Sequence, residues 1–168
     1  MNNQTPLEAL QGLRFLQGIS REHLEEIARI AQLRDHPASE VVFREGDIAK
    51  QVYLVVSGLV SLEICAPSVG CKRILTAGPG EILAWSALLD DSRLTATART
   101  IEVTRLVELD AAQLLSMCER NLEFGYEFMR RTLLGLAKRL SATRMQLLDV
   151  FGPQMPAAAE AAEGDDES

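Results

Sequence analysis

Phe43-Arg44-Glu45-Gly46-Asp47, Val52-Tyr53-Leu54-Val55-Val56-Ser57-Gly58 and Gly78-Pro79-Gly80-Glu81 are the stretches that decide the fold. Gly46, Gly58 and Gly80 fall where short apolar runs give way to reversals. Tight reversals often need a positive φ, which glycine adopts without a Cβ clash. Outward from these turns, Val41-Val42-Phe43 is a short apolar run and Leu59 to Ile64 alternates with period two. Pro67-Ser68-Val69-Gly70 makes a turn, and Lys72 to Leu75 returns. Leu94 to Val103 and Arg105 to Leu109 are again rich in Thr, Val and Leu. Short strands separated by Gly/Pro turns predict a sandwich or small barrel over residues 40–110.

The flanks have a different period. Leu7, Leu10 and Leu13 recur at three-residue steps, and Ser20 reads as a helix N-cap with Glu22 in the first turn. Leu24, Ile27, Ala28 and Ala31 form one helical face, and Pro37 stops any continuation, so N-terminal helices are assigned to 6–36. Residues 111–151 are helical again, with a short helix over Ala111 to Glu119 and Asn121 as the cap of a long one. That last helix carries Met129, Leu133, Leu136, Leu140, Thr143, Leu147 and Val150 at alternating four- and three-residue steps. This is a heptad seam with one polar position, Thr143, and it predicts a homodimer through the C-terminal helix. The alternative is that the stripe packs on its own β-domain. Gly152, Pro153 and Pro156 end the helix, and 152–168 reads as a disordered acidic tail.

Helices, then short strands, then a long helix, punctuated by Gly46, Gly58 and Gly80, resembles the cyclic-nucleotide-binding domain of the catabolite-activator family. The resemblance covers residues 7–150 and implies a mainly β fold with flanking helices, a double-stranded β-helix or jelly roll. In that family the ligand lies in a cassette after the third glycine turn. A short helix offers backbone N–H groups to the cyclic phosphate, a glutamate accepts from the ribose hydroxyl, and an arginine pairs with the phosphate.

The cassette frame resembles G-E-x-x-G-E-L-A-L followed by R-[AST]-A, and here the first part reads Gly80-Glu81-Ile82-Leu83-Ala84-Trp85-Ser86-Ala87-Leu88. The cassette glycine is Ala84, the ribose-binding acid is Trp85, and the arginine position is Leu94, in Leu94-Thr95-Ala96. Arg93 is one residue off, and a one-residue offset in a strand reverses the face of the side chain. The candidate ligand-binding residues are therefore Ala84, Trp85, Ser86, Ala87, Arg93 and Thr95. Trp85 reads as a plug filling the sugar's space, or else as a stacking platform for a different planar ligand. Cyclic AMP and cyclic GMP binding is disfavoured, and no cofactor is expected.

Of 168 residues, 47% are hydrophobic and 24% charged, values ordinary for a globular protein. The net charge of −7 is concentrated in the tail acids Glu160, Glu163, Asp165, Asp166 and Glu167, leaving the remainder near neutral. A near-neutral body, the repelling tail and the lack of a helix-turn-helix module after the long helix argue against direct DNA binding. With no run of ~18 apolar residues and no secretory leader, the chain is expected to be cytoplasmic and free of membrane. Cys65, Cys71 and Cys118 have no metal-binding spacing and are read as reduced thiols; a redox switch across the Pro67–Gly70 turn is the alternative. No catalytic motif is present, so an enzyme is not expected. The functional expectation is a regulatory or sensor module with a degenerate phosphate-binding cassette, acting through a protein partner or an unidentified small ligand. The alternatives are a ligand-free scaffold or interaction subunit, and a true cyclic-nucleotide receptor.

Overall fold

The computed structural model describes residues 4–89 and 92–151, and the chain divides at Gly135 into two units. In the first unit, Val52, Tyr53, Leu54 and Val55 are all buried within strand β3 (Gln51–Ser57). Successive side chains of a strand leave on opposite faces. Val52 and Leu54 enter a cluster shared with the helices, whereas Tyr53 and Val55 enter a second cluster between two sheets. An uninterrupted apolar run is what a strand buried on both faces requires.

The remaining strands are β1 (Ala31–His36), β2 (Val41–Phe43), β4 (Val60–Ala66), β5 (Gly70–Ala77), β6 (Ile82–Leu83), β7 (Thr97–Thr100) and β8 (Thr104–Asp110). They form two antiparallel four-stranded sheets, in the orders β1-β8-β3-β6 and β2-β7-β4-β5. The fold is a mainly β jelly roll with flanking helices. β8 divides its side chains as β3 does, with Leu106 between the sheets and Val107 and Leu109 toward the helices.

The helical layer consists of α1 (Pro6–Gln11), α2 (Arg21–Ile30), α3 (Ala111–Arg120) and α4 (Leu122–Phe151), with a short 3-10 turn at Arg14–Leu16. Its caps are local chemistry. Ser20 Oγ accepts from His23 N at 3.3 Å, and Asp110 Oδ1 accepts from Gln113 N at 2.9 Å. Asn121 Oδ1 accepts from Phe124 N at 3.1 Å, so Asn121 caps the long helix as its sequence position suggests. At Gly125 an added Cβ would lie 2.6 Å from the Cys118 carbonyl oxygen, so α3 and α4 meet there without an intervening side chain.

Two expectations are corrected. The helical assignment over 6–36 ends at Ile30, because Ala31–His36 is β1 and pairs with β8 through all six residues. Ala31 continues the helical face only in the sense that it and Leu33 pack against the same helical cluster as Ile27. The buried end of β1 is polar: His36 Nε2 lies 3.1 Å from Glu108 Oε1, and His36 Nδ1 lies 3.3 Å from Glu40 Oε1. The second correction concerns the thiols. The turn places Cys65 directly opposite Cys71 in the β4–β5 ladder, where they form a disulfide; Cys118 is free and buried. The tail assigned to 152–168 lies outside the described residues.

Gly46, Gly58 and Gly80 all have positive φ, at 85°, 85° and 83°. Gly58 has a second constraint: a Cβ would stand 2.6 Å from Val103 O and 2.7 Å from Thr104 Cα, whereas nothing lies within 4 Å of one at Gly46. Gly46→Ala should therefore cost only the left-handed penalty of about 1–2 kcal/mol. Gly58→Ala adds a backbone clash and should cost at least ~1 kcal/mol more than Gly46→Ala. Chemical denaturation of the two variants reads the difference, and equal losses would contradict the close approach.

Candidate functional site

The chain leaves β6 through Ala84, whose φ of 55° and ψ of 34° are left-handed. An L-residue pays about 1–2 kcal/mol for that conformation, and glycine does not. Ala84 leads into a short 3-10 helix, Trp85–Leu88, whose Ala87 N donates to Ala84 O at 3.0 Å. The left-handed bend is thus carried by an alanine.

The side chains that follow diverge. Trp85 is half-buried against the helical cluster, beside buried Ala87 and half-buried Leu88, while Ala84 packs on the inter-sheet cluster. Trp85 therefore lies on the helix side of the sheet, not among the residues between the sheets. Ser86 is buried, and its carbonyl accepts from the Ser92 hydroxyl.

Leu94 is 7% exposed and belongs to the inter-sheet cluster with Phe43, Tyr53 and Ala98. Its N–H donates to Asp47 O at 2.9 Å, and its carbonyl accepts from Gly46 N at 2.8 Å. This pairing fixes the alternation along the segment. Arg93, paired with Ile48, is exposed and donates from Nη1 to Gly46 O at 2.8 Å. Its guanidinium fastens the loop before β3 from outside. Thr95 is exposed as well.

The inter-sheet cluster is apolar around Leu94, with the buried Glu108 carboxylate beside Tyr53. Burial, reinforced by the nearby Glu108 carboxylate, pushes the Tyr53 phenol up to about 12, and its hydroxyl donates to Gln51 Oε1 at 3.0 Å. Two surface depressions, of about 460 and 490 Å3, lie between α2 and α3 and beside β1, and neither includes a cassette residue. The six candidate ligand residues are thus distributed over both faces of the sheet and the outer surface.

The seam positions are divided between the two units. In the first unit, Leu133 is 66% exposed and Met129 is half-buried on the helical cluster. Exposed Leu122 and Tyr126 continue the heptad spacing toward the start of α4, two positions that the sequence reading did not include. Leu122 opens the helix, and the four-residue step from it to Tyr126 was the available signal. In the second unit, Leu140, Leu147 and Val150 are exposed, and Thr143 satisfies its hydroxyl by donating to Arg139 O at 3.0 Å.

Residues 33–121 match the family model described as the cyclic nucleotide-binding domain. The chain belongs to that family. Over 150 residues it is 28% identical to the CRP-like cAMP-activated global transcriptional regulator of Mycobacterium tuberculosis, covering 89% of this chain and 65% of that protein. Among solved structures, the Thermus thermophilus catabolite activator protein superposes with a TM-score of 0.65 at 26% identity, covering 82% of this chain and 62% of that one. A cyclic nucleotide-binding domain from Methylobacillus flagellatus gives 0.72 at 19% identity, over 92% and 85% of the two chains. The chain spans 65% of the mycobacterial regulator's length, and its likeness to the Methylobacillus domain is one of fold.

The cassette bend carries its own test. Ala84→Gly is expected to be neutral or stabilising by up to about 1 kcal/mol, because it removes the left-handed penalty at an entropic cost in the unfolded chain. Ala84→Val should destabilise, since a branched Cβ tolerates positive φ poorly. Thermal denaturation compares the three proteins, and a clear loss on Ala84→Gly would show that the methyl's contact with the inter-sheet cluster outweighs the backbone term.

Proposed function

We propose that this chain is a non-enzymatic regulatory module in which the cyclic-nucleotide cassette has become structural, and which acts through protein contacts along α4. The observation that carries this reading is Leu94. The position where the family resemblance calls for a phosphate-binding arginine holds a leucine buried among Phe43, Tyr53 and Ala98. A bound phosphate would forgo a charge-assisted hydrogen bond worth about 1.5–3 kcal/mol. Arg93 does not supply it in this conformation, because its guanidinium is engaged outside at Gly46 O. Trp85 replaces the ribose acceptor with an indole packed toward the helices. Together these losses weaken a cyclic nucleotide by about two to four decades, at ~1.4 kcal/mol per decade.

The partner side of the proposal rests on α4. Leu140, Leu147 and Val150 stand exposed at heptad positions, and burying each such side chain contributes up to about 1.5–3 kcal/mol. A second copy of the same helix satisfies that spacing with knobs-into-holes packing. The protein is read as a cytoplasmic homodimer that recruits a further protein and does not bind duplex DNA directly. A ligand-free scaffold is the second reading, favoured by the apolar packing between the sheets.

Isothermal titration with cyclic AMP and cyclic GMP is expected to give no low-micromolar binding, and such binding by either nucleotide would overturn the reading of Leu94 and Trp85. A thermal-shift screen of small ligands separates sensor from scaffold, because a binder raises the melting temperature with the logarithm of its excess.

Light scattering at tens of micromolar is expected to report a dimer for the unmodified chain and a monomer for the Leu140→Asp/Leu147→Asp variant. A monomeric unmodified chain would remove the dimer from the proposal.

A further inference from the structure

The disulfide lies where it cannot support either core. β7 pairs with β4 only from Val60 to Glu63, so the hairpin tip from Ile64 to Lys72 extends past the last strand that flanks it on that side. On the other side β5 is the edge of its sheet. No residue from Glu63 to Thr76 belongs to the helical or the inter-sheet cluster. Within the tip, Ile64 pairs with Lys72, Cys65 with Cys71 and Ala66 with Gly70, and the bond encloses only Ala66 to Gly70. Both cysteines are exposed. A staple closing so short a loop constrains the unfolded chain less than one closing a long loop, and exposed disulfides are the ones open to exchange.

We propose that Cys65–Cys71 is a reversible thiol–disulfide exchange site for a dithiol reductant of the Cys-X-X-Cys type, and that its redox state sets the order of the β4–β5 tip. The attacking thiolate bonds to Cys65 Sγ, the Cys65–Cys71 bond breaks, and Cys71 leaves as a thiolate. The second thiol of the reductant then displaces Cys65. The reductant departs as its own disulfide, having passed two electrons and two protons to this pair. The reverse exchange, with the oxidised partner, reforms the bond.

The direction of attack follows from the charges beside each sulfur. Arg73, two residues along β5 and hence on the same face as Cys71, has no ion-pair partner among the described residues, nor has neighbouring Lys72. Arg73, on the face of Cys71, favours Cys71 as the leaving thiolate, because Glu63 opposite it is engaged by Arg99 and Lys72 points to the other face. On the other strand, Glu45 Oε2 accepts from Cys65 N at 3.4 Å, which places a carboxylate on the Cys65 side. Glu45 also ties the tip to the loop after β2, because its own N–H donates to Thr97 Oγ1 at 3.0 Å. Opening the bond loosens Ile64 to Lys72 and leaves β3 and β8 intact. This inference is independent of what the roll binds.

The test uses the full chain, oxidised, with a thioredoxin-type dithiol in the absence of denaturant. Mass analysis after thiol trapping is expected to show complete, reversible reduction of Cys65–Cys71. Hydrogen exchange of residues 64–72 should then rise by about 10-fold or more, with the amides of β3 and β8 unchanged. A reductant lacking its second cysteine is expected to be captured on Cys65. A disulfide that yields only after denaturation, or a reduction that releases β3 and β8 together with the tip, would overturn the proposal and make the bond a structural staple. Capture on Cys71 would overturn the assigned direction of attack.

Discussion

Everything in the first unit is arranged around a sheet that must bury both faces. β3 sends Val52 and Leu54 one way and Tyr53 and Val55 the other, and β8 repeats the division with Leu106 against Val107 and Leu109. A slip of one residue in either strand would exchange the two sets and place Tyr53 under the helices. The register Tyr53↔Glu108 and Leu54↔Val107 is therefore enforced from two sides at once. The helices are needed because one face of this sheet is apolar, and the second sheet is needed because the other face is apolar too. Even the Gly58 turn follows, since β3 must reverse directly against the Val103–Thr104 backbone for β4 to begin the second sheet.

The cassette shows that conformation and chemistry can separate. Ala84 keeps the left-handed bend, and a short helix still follows it. The side chains around the bend go to different places. Leu94 fills the inter-sheet cluster, Arg93 reaches outward to Gly46, and Trp85 lies against the helices. An arginine in place of Leu94 would bring a charge among Phe43, Ala98 and Leu106, which is costly unless it is paired. A leucine removes that requirement.

The legible parts of the sequence were those governed by local rules. Glycines at strand reversals, caps at Ser20 and Asn121, and the period of β3 all depend on residues a few positions apart. Ala31–His36 was misread because Ala31 satisfies a helical step while its actual partner, Leu109, is remote in sequence. The disulfide was not legible because nothing in a count of cysteines says that two of them will be cross-strand neighbours; the register of β4 against β5 decides it. The opposite facing of Leu94 and Arg93 followed from strand alternation. The side on which Trp85 packs did not follow, since a residue at the start of a short 3-10 helix has no strand period to orient it.

The α3–α4 corner at Gly125 has a consequence of a different kind. With no Cβ at Gly125, the Cys118 backbone and side chain close directly on α4, and the thiol is 8% exposed. Burial pushes that thiol up to about 11, with Glu119 adding to the effect. At neutral pH only about one such thiol in ten thousand is ionised. Cys118 is thus chemically silent while the corner is shut, and its alkylation rate is a built-in gauge of how often the two helices part. The exposed cysteines of the β4–β5 hairpin are tied in a disulfide and take no alkylating agent while that bond is closed, so the signal from an oxidised molecule belongs to Cys118 at the helical joint.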